Sequence, residues 1–171
     1  MEEVAAEAGL TRRTIYNHFG NTMQLFELSR KTLLAELAPM VPTRIAQGVP
    51  LVRALTDFTD EAARLFRDER HRDLYLSVTR DGQDWLDTAY KKQILAPMAD
   101  ALAGFLARQW PHVSPATSAS VAARLLMMVQ AAAAMPPPFA RLACGDEVHV
   151  APSIMVGAIL AQYTQPQAMA A

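Results

Sequence analysis

Between Thr11 and His18 the chain places two arginines, two threonines, a tyrosine, an asparagine and a histidine within "TRRTIYNH". These side-chain types are the ones that read nucleic acid. A guanidinium donates to guanine O6 and N7, a carboxamide pairs with adenine, and threonine and tyrosine hydroxyls reach phosphate oxygens. Ile15 and Phe19 fall about 40° apart on a helical wheel, which gives the segment one apolar edge. Arg13 and Asn17 lie roughly opposite that edge, with Arg12 and Tyr16 on one flank and Thr14 and His18 on the other. On residue types alone two readings stand: an ordinary solvated helix face, or a surface made to lie against phosphates and base edges.

Such side chains need a scaffold, and the preceding residues supply one. Glu2 to Ala8 reads as a short helix, with Val4 and Ala8 one turn apart on the same side. Gly9 can take the positive φ that ends a helix, Leu10 then turns inward, and Thr11 can cap the next helix by accepting from a backbone N–H. Two short helices about a tight glycine turn, the second polar and basic outside, form a helix-turn-helix whose second helix enters the major groove.

The stretch "VAAEAGLTRRTIYNHFGN", Val4 to Asn21, resembles the signature of the TetR family of transcriptional regulators. That signature runs Val-Ala-x-x-Ala-Gly-Leu/Val-Ser/Thr, then x-x-Thr-Leu/Ile-Tyr-x-His/Tyr-Phe. The resemblance implies a role for each position. Thr11 would cap the recognition helix and touch phosphate; Arg12, Arg13, Thr14 and Asn17 would face base edges; Tyr16 and His18 would grip the DNA backbone. Val4, Ala5, Ala8, Leu10, Ile15 and Phe19 would be core.

Two departures accompany the match. The family usually carries a lysine where this chain has Thr22, which can cap a helix and hydrogen-bond a phosphate without neutralising it. The family's DNA-binding domain also has a first helix ahead of the motif, and this sequence starts inside what normally follows it, so the head is expected to lack that helix. Residues 1 to 40 hold four basic groups against five acidic ones, so this head is not net positive.

The whole chain of 171 residues has a formal charge of −1, so contact with nucleic acid must be local rather than bulk adhesion. Hydrophobic residues make up 51%, enough for a sizeable core. The one cysteine, Cys144, excludes a disulfide framework and suits a reducing cytosol. The opening residues do not read as a signal peptide. The longest apolar run, Val121 to Met135, is interrupted by Arg124 and Gln130 and falls short of the roughly 20 residues of a membrane span. A cytoplasmic protein is expected.

Helical periodicity dominates the remainder. Leu51, Leu55, Phe58, Ala62 and Leu65 form one stripe, with Asp57, Asp60, Glu61 and Arg64 elsewhere. Met98, Leu102, Phe105 and Leu106 repeat the pattern after Pro97, where a helix must kink or restart. "LYLSV" at 74 to 78 alternates like a strand but has no ladder partner, and is read as helix. Ser114-Pro115 opens a helix that "PPP" at 136 to 138 stops. Loops are expected at Ala38 to Val49, in the charged turn "RDERHRD" at 67 to 73, and at Pro136 to Pro152; His71 and His112 read as solvated. The chain is all-α: a helix-turn-helix head over residues 1–38 and a helical domain over residues 39–171.

In the resembled family the helix after the motif, here about Thr22 to Leu37 with Leu25, Phe26, Leu33, Leu34 and Leu37 inward, links the head to a regulatory domain. That domain encloses a small-molecule cavity and pairs with a second subunit through its last two helices. The aromatic or apolar residues available for a hydrophobic or aromatic effector are Phe58, Leu65, Tyr75, Trp85, Tyr90, Met98, Phe105 and Trp110, each of which could equally be core. Two segments, Val121 to Met135 and Ile154 to Tyr163, are apolar on nearly every face and suit a homodimer seam through Val121, Leu125, Met128, Ala132, Met155 and Ile159. Burial within one subunit is the competing reading. No cofactor or metal site is expected: the histidines are scattered, and there is no Gly-x-Ser-x-Gly, His-Glu-x-x-His or phosphate-cradling glycine loop. The sequence therefore reads as a ligand-responsive repressor that binds a palindromic DNA operator as a dimer. The alternative is a small-molecule-binding dimer with impaired DNA binding, and an enzyme is the least favoured class.

Overall fold

The computed structural model describes residues 1–81, 84–134 and 152–164, and every regular element among them is helical. In chain order these are α1 (Glu2–Glu7), α2 (Arg12–Phe19), α3 (Thr22–Leu37), a 3₁₀ turn (Ala38–Met40), α4 (Leu51–Arg67), α5 (Glu69–Asp81), α6 (Asp84–Tyr90), a π-helical turn (Lys91–Leu95), α7 (Ala96–Gln109), α8 (Pro115–Ala134) and α9 (Pro152–Thr164). The "PPP" stop and residues 136–151 of the expected loop lie outside the described residues, while Pro152, the expected end of that loop, is the first residue of α9.

Helix α4 is the centre of the larger part. Its expected stripe is inside, and Ala54, Thr59, Ala63 and Phe66 are buried with it, against α5, α8 and α9. The buried Thr59 hydroxyl donates back to the Leu55 carbonyl at 2.8 Å, so no polar group is stranded there. Helix α8 packs on α7 and α4, burying Ser118, Val121, Ala122, Leu125, Leu126 and Val129. By length and mean hydropathy α8 could cross a membrane, yet this buried side lies in the helical core. Ser114 caps it, its hydroxyl accepting from the Thr117 N–H at 3.1 Å.

Pro97 acts one turn earlier than the sequence suggests. Leu86, Tyr90, Ile94, Met98 and Leu102 recur every four residues and are all buried. In a straight α-helix that spacing drifts about 40° per step. The wider π turn at Lys91–Leu95 absorbs the drift. It also makes room at the Gln93 carbonyl, where the Pro97 ring would otherwise clash, and α7 restarts at Ala96.

The charged segment at 67 to 73 is not a turn. Only Asp68 breaks the helix, and its carboxylate caps α5 by accepting from the Arg70 N–H at 2.9 Å. The Arg70 side chain holds that carboxyl below its ordinary range. His71, expected to be solvated, is 2% exposed. It is in phase with Leu74 and half-buried Val78, so the helix turns it inward. His112 is exposed, as expected.

His71 anchors a buried polar network. The Gln130 amide donates to the Tyr90 hydroxyl at 3.1 Å, and that hydroxyl pairs with His71 Nε2 at 2.9 Å. The network joins α5, α6 and α8. Phe66, Tyr75 and Tyr90 surround the ring at centroid distances of 5.1, 6.3 and 5.7 Å. His71 Nδ1 has no hydrogen-bond partner of good geometry. Burial raises the Tyr90 phenol pKa and lowers that of His71; the Phe66 carbonyl and Asp68 oppose the His71 shift only in part.

A buried histidine held neutral makes the fold acid-sensitive. The unfolded chain takes up the proton first, so the His71 contribution is intact above about pH 6.5 and is lost as pH falls below it. The unfolding free energy from urea titrations should drop between pH 7 and pH 5, by at most about 1.4 kcal/mol per pH unit for one proton. In His71→Phe that drop should shrink, since nothing at the site then titrates.

Candidate functional site

The turn between α1 and α2 forms as its residues dictate. Gly9 takes φ 64°, and the Gly9 and Leu10 N–H groups donate back to the Ala6 and Ala5 carbonyls at 3.1 and 2.9 Å. Thr11 stays extended, and its hydroxyl accepts from the Thr14 N–H at 3.1 Å and shares a hydrogen bond with the Thr14 hydroxyl at 2.8 Å. Ala5 and Ile15 are buried where α1 meets α2. At the far end Gly20 takes φ 74°, and Asn21 caps α3 by accepting from the Gln24 N–H at 2.9 Å. The capping role open to Thr22 therefore belongs to Asn21, and Thr22 stands exposed at the first position of α3.

The outer face of α2 presents Thr11, Arg12, Arg13, Tyr16, Asn17 and His18 to solvent, with Thr14 half-buried. Arg13 has no hydrogen-bond or ion-pair partner among the described residues. Arg12 is held: its Nη1 meets Glu2 Oε1 at 2.5 Å. The Tyr16 hydroxyl beside the guanidinium, and then Glu2, raise its already high pKa.

The apolar side of the head is less buried than expected. Val4 and Leu10 are 45% and 48% exposed, Ala8 is exposed and Phe19 is half-buried. A helix as short as α1 packs chiefly on α2 and buries only Ala5. In α3, Leu34 and Leu37 are core and Leu25 and Leu33 half-buried, but Phe26 faces outward beneath the Arg30 guanidinium, 5.6 Å from the ring centroid.

The candidate effector residues separate into two groups. Phe58, Leu65, Met98, Phe105 and Trp110 are close-packed core, and Tyr90 belongs to the buried polar network. Tyr75 and Trp85 are half-buried at its edge, Trp85 with the Lys31 ammonium 5.6 Å over its ring. A groove of about 290 Å³ lies elsewhere, between Arg44–Ala46 and α4, lined by Asp57, Asp60, Glu61 and Arg64 with Phe58 at its base. Sequence periodicity did not point to this groove, since its walls are charged and its loop is irregular.

The candidate seam residues divide likewise. Val121, Leu125, Met155 and Ile159 are buried within the subunit, Ala132 is half-buried and Met128 is 39% exposed. The sides of the last two helices that face outward carry Ala123, Met127 and Ala131 on α8, and Ile154, Gly157, Ala158 and Ala161 on α9. Among the described residues no group of histidine, cysteine and carboxylate side chains could hold a metal ion.

No curated protein matches the chain. Residues 1–28, which span α1, the glycine turn, α2 and the first turns of α3, match the family model of bacterial regulatory proteins of the tetR family. The capped, solvent-facing α2 thus falls where that model has the second helix of its DNA-binding helix-turn-helix, and the likeness to this family of transcriptional regulators covers the N-terminal 28 of 171 residues.

Proposed function

We propose that this chain is a ligand-responsive repressor that binds an operator as a homodimer. The observation that carries the reading is the α2 face, held by the Thr11 cap and the Gly9 turn, with Arg13 and Asn17 uncommitted opposite buried Ile15. Arg13, Asn17 and Thr14 address base edges in the major groove; Arg12, which the resemblance also sets against base edges, is drawn aside by Glu2 and joins Thr11, Tyr16, His18 and Thr22 on the backbone.

One short recognition helix reads only a few base pairs, so two heads are needed. The small residues on the outer sides of α8 and α9 suit close approach of the same helices from a second copy. The effector is a hydrophobic or aromatic small molecule entering beside Tyr75 and Trp85, the two aromatic candidates that remain partly open. It acts by population shift, favouring a state in which the two heads no longer match successive major grooves.

A second reading, a small-molecule-binding dimer with weakened DNA binding, is favoured by one feature: the head is short of positive charge. Thr22 stands where a lysine is usual, and Arg12 is paired with Glu2.

Fluorescence anisotropy on the DNA upstream of the protein's own gene tests the first reading against the second. Specific, salt-dependent binding supports the repressor, whereas a folded dimer that ignores this DNA and competitor DNA alike supports the second. Arg13→Ala should weaken the specific complex by about 1–3 kcal/mol and relax preference at one operator position. Tyr16→Phe should weaken binding to all sequences alike. Ala158→Glu or Met127→Glu should give folded monomers by sedimentation. Ile159→Glu should instead unfold the subunit, because its side chain is in the core.

A further inference from the structure

The two arginines of the recognition helix are unequally engaged. Arg13 is unpartnered among the described residues, while Arg12 is bound by Glu2 from the start of α1. Tyr16 stands one turn along α2 from Arg12, on the same flank of the helix. All three side chains are exposed, Arg12 and Glu2 at 55% and 78% and Tyr16 at 37%. A guanidinium and a phenol hydroxyl at positions i and i+4 of one helix flank can close on one anion, and here a carboxylate already holds the guanidinium. A backbone phosphate presents the same oxygen chemistry and carries like charge to Glu2, so the two exclude one another.

Resting on the DNA-binding reading above, we infer that Arg12 and Tyr16 together take one phosphodiester, and that Glu2 holds the arginine of that pair in the DNA-free head as an internal competitor. An exposed ion pair of this kind exchanges readily, so Glu2 tunes backbone affinity and does not abolish it. The head thereby keeps one arginine out of indiscriminate backbone contact until DNA displaces the carboxylate, while Arg13 remains available throughout.

The test uses the full chain, because the head has not been separated from the helices behind it. Wild type, Glu2→Gln, Glu3→Gln, Arg12→Ala and Glu2→Gln/Arg12→Ala are titrated against a short duplex of arbitrary sequence over a salt series. Glu2→Gln should bind roughly 3- to 10-fold tighter at low salt, while Arg12→Ala should make the slope of log K against log salt shallower by about 0.9, one phosphate fewer neutralised. Glu3→Gln removes the same charge from the same helix without touching Arg12, and should not reproduce the gain. In the Arg12→Ala background the gain from Glu2→Gln should disappear. A Glu2→Gln protein that binds like wild type or more weakly, or whose gain survives without Arg12 or is matched by Glu3→Gln, would overturn the inference while leaving the DNA-binding reading intact. If none of the five proteins binds any duplex at low salt, both readings fall together.

Discussion

The architecture depends on α4, a helix that has to be covered on more than one side. Eight of its residues are buried, and its alanines at 54, 62 and 63 let neighbouring backbones come close, while Phe58, Leu65 and Phe66 fill the volume between. Helices α5, α8 and α9 each take part of that surface. Helix α7 then covers the side of α8 that α4 leaves, and the π turn keeps the α6–α7 rod in phase with the core over five successive turns. What remains of α4 is the charged wall of the groove facing Arg44. The helical domain is thus organised by one element's need for cover.

Much of this is legible in the amino acids, and the exceptions share a cause. The α4 stripe, the helix over "LYLSV", the Ser114 cap and the Gly9–Thr11 turn are all written locally, in periodicity or in a residue with one conformational use. His71 is not, because six charged neighbours between positions 67 and 73 set the apparent character of that stretch. Its alignment with Leu74 and Val78 was the available signal. Residue type failed in the other direction at Val4, Leu10 and Phe26. Apolar side chains gain from burial only where a neighbour exists, and short helices offer few neighbours. For α8 and α9, apolar on nearly every face, the sequence declares that burial is wanted without saying which face meets the subunit's own core. The groove at Arg44 depends on an irregular loop and has no periodic trace.

The head illustrates how position outweighs total charge. Its formal charge would repel a polyanion weakly, yet Glu2 alone of the α1 carboxylates pairs with the polar face of α2 among the described residues, and over short distances the local arrangement decides. The tight Gly9 turn and the Thr11 cap fix the direction of α2, so the face is set before any ligand arrives.

Arg70 and His71 are consecutive, but they belong to different structures. Arg70 reaches across to Glu36 Oε2 of α3 at 3.6 Å and to Met40 Sδ of the 3₁₀ turn at 3.3 Å, while its neighbour is sealed among the aromatic rings of the core. Both sit on the first turn of α5, whose backbone Asp68 clamps from below. One helical turn is too stiff to move one of these residues and leave the other. The first turn of α5 therefore ties the buried polar network to α3 through a single peptide unit, and α3 is the helix that follows Gly20 and Asn21 at the end of α2.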